Sequence, residues 1–389
     1  MRRKRGRSMQ AILNGRIVMP NRIVTDSALL FETAIAGLCA PDALPADCQV
    51  IDAKGLYVAP GLIDLHLHGY MGEDVSDGSP EGVRVIARGI ARNGVTSWLP
   101  TTMTLSKQQL CTAFDNLRPL RLESRTDGWD GAEILGAHAE GPFINPAQKG
   151  AQNGAHVLLP DAGFLLDFSD IIRMVTLAPE MPGGIAFLDT LRQRTDIVLA
   201  LGHSDATYEQ AVQAYRHGLS HVTHAFNAMS PLRQRAPGAV GAALSLPLTV
   251  ELIADGIHVH PGLFPLMVRA KGDKLVLVTD CTRAGGMPEG EYTLGGQAIF
   301  VKDGCCRLEN GIIAGSVLTL NRALRNFLQH TDLPLWEAVN CVSRNPARAL
   351  GEARKGTLEP GKDADIVFMD DSFAVYRTIL RGKTIYATP

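Results

Sequence analysis

The chain has 389 residues, 46% hydrophobic and 20% charged, with a formal net charge of −2. That balance suits one large globular domain, or one large and one small, and excludes the strong positive field that draws a protein to nucleic acid or to a membrane surface. Seven cysteines without a Cys-x-x-Cys pair, Cys305 and Cys306 among them, read as ordinary thiols in a reducing cytoplasm, and no apolar run approaches a membrane span.

The start, Met1 to Arg7, is basic, but no long apolar segment follows, so it does not read as a signal peptide. A disordered tail over 1–8, or a start placed too early with Met9 as the true one, is the expectation. Short strands are then expected near 11–18, 27–35, 49–51 and 56–58, parted by turn residues such as Asn14-Gly15 and Lys54-Gly55. They make a small β-layer with no helix pattern.

From Gly61 a different rhythm begins, apolar strand followed by helical stretch. Strands are expected over 62–67, 95–100, 133–139, 174–178, 197–202, 220–224, 249–254 and 275–279. Helices are expected over 80–93, 106–117, 161–168, 185–194, 208–217 and 263–271, and a Pro/Gly-bearing connection follows the sixth strand as far as Leu246. Eight parallel strands with intervening helices point to a TIM barrel. A β-rich insertion near 292–313 and helices over 319–329 and 336–342 come next. The tail from Gly356 to Phe368 is strand-like again and is expected to rejoin the N-terminal layer. The expected fold is therefore α/β: a TIM (β/α)8 barrel over 60–350, with a small β-sandwich built from both chain ends, 1–59 and 351–389.

The stretch around which the chain is organised is Gly-Leu-Ile-Asp-Leu-His-Leu-His-Gly at 61–69. Residues two apart on a strand face the same side, so His66 and His68 present two imidazoles together at the carboxyl end of the first strand. Alone, such a pair is no more than two polar residues in a turn. Further strands, however, end in the same kind of residue: the third in Glu140, the fifth in His203, the sixth in His224, the eighth in Asp280. The seventh runs into Asp255 and His258. Barrel active sites sit at those carboxyl ends, so four imidazoles and two carboxylates converge there as a mono- or binuclear metal site. The remaining histidines read as structural. His217 ends a helix, His138 lies within the third strand, and His221 begins the sixth at the wrong barrel face; His156, His260 and His330 have no partner visible in sequence.

With the Gly-Lys-Asp-Ala-Asp tail at 361–365, this pattern resembles the amidohydrolase superfamily. Within it, the motifs resemble the N-acetylglucosamine-6-phosphate deacetylases. They include His-Ala-Glu-Gly-Pro-Phe at 138–143, Lys-Gly-Ala-Gln-Asn at 149–153, Leu-Ala-Pro-Glu at 177–180 and Gly-His-Ser at 202–204. Thr-His-Ala-Phe-Asn-Ala-Met at 223–229, Ala-Asp-Gly-Ile-His at 254–258, Val-Thr-Asp at 278–280 and Ala-Gly-Ser at 314–316 complete the set. The resemblance covers nearly everything from Gln10 onward.

It implies roles. Glu140, His203 and His224 would be the core metal ligands, and His66 and His68 would add a second metal. Asp280 would be a ligand and the general base and acid. Ala151, Gln152, Asn227, Ala228, Arg235, His258 and the segment Ile313, Ala314, Gly315 would contact the sugar phosphate. The ion is expected to be zinc, one or two per chain, with iron(II) or manganese(II) also suited. Arg235 would reach the phosphate from a neighbouring subunit, which implies a homodimer; by its residues alone it is equally a solvated loop cation. Some family members have Gln and Asn where His66 and His68 stand, and many have histidine where Gln152 stands.

The expected activity is metal-dependent deacetylation of N-acetyl-D-glucosamine 6-phosphate to the amine and acetate. The chemistry calls for a metal, because an amide is a poor electrophile and neutral water a poor nucleophile. With no Gly-x-x-x-x-Gly-Lys phosphate loop in the chain, side chains and loop amides must hold the phosphate, and Arg235, in the loop after the sixth strand, is a suitable fork for it. The rivals are the galacto sugar as substrate, another amidase or deaminase of the superfamily, and a scaffold that has lost catalysis. The last should have lost ligands, and none is missing.

Overall fold

All eight expected barrel strands form and pair in parallel in a computed structural model of the protein, which describes residues 8–388. The expectation for the basic start therefore falls, over residues 1–7, outside the described residues. Leu62–Leu67 pairs with Val95–Thr102, which pairs with Ala137–Glu140, and the order continues in sequence to Leu275–Val278. The ring closes at its carboxyl end, where Leu67 bridges Cys281 and the Asp280 amide donates to the His66 carbonyl at 2.8 Å. Closure thus sets the end of the eighth strand directly against the paired histidines of the first.

The two chain ends build a second layer. Tyr57–Pro60 pairs antiparallel with Ile366–Met369 inside a six-stranded sheet, and a four-stranded sheet from residues 10–52 packs on it. The apolar core between them draws on both ends, with Ile12, Leu29, Phe31 and Val58 against Ile366, Phe368 and Ile379. Lys355 fastens this layer to the barrel from a buried position. Its Nζ lies 3.0 Å from Glu133 and 2.7 Å from Asp365, and Arg381 also pairs with Glu133.

Several local expectations change. The third strand is split into Glu133–Ile134 and Ala137–Glu140, and Gly136 at φ 151° lies between the two halves. The second barrel helix, Lys107–Glu123, runs through Pro119, because Leu117 and Leu120 bury the same face and outweigh one lost backbone bond. The connection after the sixth strand contains a helix, Gly238–Ser245. It is buried nearly all round, so its sequence carries no amphipathic period. A short helix, Arg344–Ala349, was also not expected. No helix among the described residues is long and apolar enough to cross a membrane.

Candidate active site

Three of the strand-end side chains sit on backbone with positive φ: His203 at 47°, His224 at 29° and Asp280 at 49°. That region costs a non-glycine residue of order 1–3 kcal/mol, and such residues gather at functional sites. Each bends the chain sharply as it leaves the strand, at the barrel mouth. Gly315 packs on this turn. A Cβ there would lie 2.9 Å from the Asp280 carbonyl oxygen and 2.6 Å from Thr282, which accounts for glycine in the Ala-Gly-Ser motif.

The six side chains meet as two linked groups, His66, His68 and Asp280 in one and Glu140, His203 and His224 in the other, all buried. Glu140 Oε1 lies 2.9 Å from His224 Nε2 and 3.1 Å from His203 Nε2. Its Oε2 lies 3.2 Å from His68 Nε2, so one carboxylate faces both groups. Asp280 Oδ1 is 3.3 Å from His68 Nε2 and 3.5 Å from His66 Nε2.

This donor set fits a divalent metal. His66 and His68 face each other through Nε2 at 3.3 Å, as do His203 and His224 at 3.1 Å. On three of the four rings Nδ1 is turned to an acceptor: Glu251 for His66, the Thr101 carbonyl for His68, the Gln148 carbonyl for His203. With the ring proton held there, every such Nε2 lone pair aims inward, and facing lone pairs repel unless a cation lies among them. The two carboxylates make this a place for positive charge: burial alone would lower the His68 imidazole, yet Asp280 and Glu140 raise it to about 9, so the ring favours a second proton or a cation in its stead. Glu140 is held well below the usual carboxylate range against its own burial by His66 and His203.

Over the groups opens a cavity of about 400 Å³. Of the six, Asp280 is the most open to it, 8% exposed against 2% for Glu140. Gln152, Asn227, His258 and Gly315 line it, as do Ala151, Ala228 and Ile313. Ala314 does not; it is fully buried beneath its neighbours. Arg235 does not either: it is exposed in the loop after the sixth strand, and among the described residues no Lys or Arg lines the cavity. His258 is braced by Asp255, 2.6 Å from its Nδ1. Gln152 is more committed than sequence implied. Its Oε1 accepts from the Thr104 amide at 2.7 Å, and its Nε2 donates to Glu140 at 2.5 Å.

Two residues behind the site escaped the sequence reading. Glu251, midway along Thr249–Ile253, touches His66, and His221, expected on the wrong face, bonds Glu251 inside the barrel. The available signal was a lone carboxylate in an apolar strand, a residue that is almost never buried unless paired. His138 is the satisfied core residue expected, with Nε2 2.7 Å from Thr176 Oγ1, and burial beside His66 lowers its imidazole to about 3. His217 caps its helix and pairs with Asp189.

The Amidohydrolase family profile matches residues 57–385. The chain is 39% identical over 339 residues to an N-acetylglucosamine-6-phosphate deacetylase of Lysinibacillus sphaericus, covering 86% of each. It is 35% identical over 378 residues to an N-acetylgalactosamine-6-phosphate deacetylase of Escherichia coli O157:H7, covering 94% of this chain and 98% of that one. Among solved structures, a mutant N-acetyl-D-glucosamine-6-phosphate deacetylase from Mycobacterium smegmatis, in complex with N-acetyl-D-glucosamine-6-phosphate, superposes with a TM-score of 0.89. It shares 29% identity and covers 98% of this chain and all of that one. The chain belongs to the amidohydrolase family, in its branch of N-acetylglucosamine-6-phosphate deacetylases.

Proposed function

We propose that this chain hydrolyses the acetamido group of N-acetyl-D-glucosamine 6-phosphate, giving D-glucosamine 6-phosphate and acetate, in a metal-dependent reaction. The observation that carries this is the convergence of four imidazoles and two carboxylates on one cavity, in a chain of this family. Glu140, His203 and His224 would hold one divalent ion, and His66, His68 and Asp280 a second. Zinc suits this donor set, and iron(II) and manganese(II) compete for it. When bound, such ions acidify water and polarise a carbonyl oxygen.

The chain's own groups supply the rest. Asp280 takes the proton of the attacking water and returns it to the leaving amine, a carboxylate role that suits its exposure to the cavity. Gln152 steadies Glu140 with one amide hydrogen, which leaves the other for the substrate. Asn227, Ala151, Ala228, Ile313 and Gly315 wall the sugar, with His258 at the rim. The phosphate needs a cation that the cavity of one chain lacks among the described residues. Arg235 of the partner subunit, in a homodimer, is the proposed source, and its guanidinium fork suits a phosphate. Seven unpaired thiols support a cytoplasmic setting.

The galacto sugar is the second reading, favoured by the E. coli relative. A panel of N-acetylglucosamine and N-acetylgalactosamine, each with and without the 6-phosphate, tests both through acetate release. Turnover should be greatest on the gluco 6-phosphate, stop with a chelator and return with added zinc. Faster turnover of the galacto 6-phosphate would move the assignment to the second reading. Absence of acetate from every sugar would refute both.

A further inference from the structure

Behind the first ligand group lies a carboxylate that the reaction itself does not call on. Glu251 is completely buried in the barrel interior. Its Oε2 lies 3.0 Å from His66 Nδ1, and its Oε1 lies 3.0 Å from His221 Nε2. The backbone amide of His224 also donates to Oε2, at 3.1 Å. A carboxylate at this depth is retained only where every oxygen is engaged, and here both are.

The four ligand histidines are supported unequally. His68 and His203 turn Nδ1 to main-chain carbonyls, at 3.2 and 2.9 Å. His224 Nδ1 has no partner among the described residues. His66 alone is given a carboxylate, and that carboxylate has a support of its own in buried His221. A carbonyl fixes a ring's tautomer, whereas a carboxylate also makes the ring a stronger donor through its other nitrogen. Glu251 reaches the second group as well, because the amide it binds belongs to His224, which holds the strained φ of 29°.

We infer that Glu251, held in place by His221, is a positioning residue that sets the ring and donor strength of His66 and so governs how tightly the His66, His68 and Asp280 group keeps its ion. This rests on the two-ion reading above. Its role is selective: the group that contains His66 depends on Glu251 for a side-chain contact, the other group for one backbone bond.

The test is ion binding by the full-length protein, independent of turnover. Wild type, Glu251→Gln and His221→Asn are each loaded with zinc, counted by elemental mass spectrometry and titrated against a chelator of known affinity. Wild type should hold two ions per chain. Glu251→Gln, close in shape, should weaken one of them roughly 10–100-fold, the usual scale for such outer partners, and leave the other near its wild-type affinity. His221→Asn touches no proposed ligand, so it keeps the question answerable if Glu251→Gln folds poorly, and it should weaken the same ion by a smaller factor. Two ions at unchanged affinity in both variants would overturn the assignment alone. Equal loosening of both ions would reduce Glu251 to general support of the fold and would also overturn it. A wild type that holds a single ion would overturn the two-ion reading, and this inference with it.

Discussion

Replacing Asp280 by asparagine isolates proton transfer from architecture. The turn that carries Asp280 is held by its main chain: its amide donates to the His66 carbonyl at 2.8 Å, and its carbonyl accepts from the Ser316 amide at 2.8 Å. Neither bond involves the carboxylate, so the turn should survive. Asparagine also keeps the side-chain shape and an oxygen to face His68 Nε2, which lies 3.3 Å from Oδ1. What disappears is an oxygen basic enough to take a proton and release it again. General acid–base catalysis contributes ~10²–10⁴-fold. Turnover should therefore fall at least about a hundredfold, or ~2.7 kcal/mol of barrier. The Michaelis constant should change little, because the sugar's walls are untouched. The assay is saturation kinetics of acetate release on N-acetylglucosamine 6-phosphate. Ion content must be measured on the same sample, since Asp280 also belongs to the His66 and His68 group. Turnover within a few-fold of wild type at full ion content would remove Asp280 from the reaction.

Changing His66 and His68 together to alanine should remove one ion per chain and most of the turnover. Adding Gln152→His to that background should recover part of the loss, because a protonated imidazole polarises the carbonyl more strongly than the one free hydrogen of a neutral amide and can also transfer a proton. Finding one ion per chain in fully active wild type would contradict this. Arg235→Ala should raise the Michaelis constant for the phosphorylated sugar and spare the unphosphorylated one, and an equal effect on both would make Arg235 structural. Lys355→Met should destabilise the fold by about 3–5 kcal/mol, the cost of stranding buried carboxylates, read by chemical denaturation. The sign of its pH dependence follows from the partners. Burial opposes ionisation of Glu133, but Lys355 and Arg381 hold it below its ordinary 4.5, so its contribution is present above that value and lost as pH falls through the lowered one. Burial likewise opposes the charge on Lys355, but Asp365 and Glu133 raise it above 10.5, so its contribution holds below that value and fades only at higher pH. Burial outweighs the same lysine at Asp365 and lifts that carboxyl above the usual range, so the window rests on the other two. The deficit of the variant should thus be widest between about pH 5 and 10 and narrow in acid. A deficit that grows in acid would refute the argument.

The strand and helix rhythm from Gly61 to Thr279 was legible in the sequence because it is a local signal, apolar runs bounded by breakers. The candidate ligand set was legible for the same reason, since His66 and His68 share a strand face by a period of two and the others stand where apolar runs end. The helix at Gly238–Ser245 was not legible, because a helix buried all round has no polar face to give it a period. Neither was the engagement of both ends of the Gln152 amide, which depends on Thr104 and Glu140 being brought to it across the barrel. Arg235 takes its phosphate role from the resemblance and not from its own residues, and it stands outside its own chain's cavity. Glu251 and His221 mark the boundary most sharply. They lie 30 residues apart, and Glu251 lies 185 from His66, so their meeting depends on register and closure. His221 pairs with Thr249, and the first strand is carried round to the last. A strand's own residues determine which side chains share its face. Which buried group receives a partner is decided across the barrel, where an unpaired carboxylate is too costly to keep.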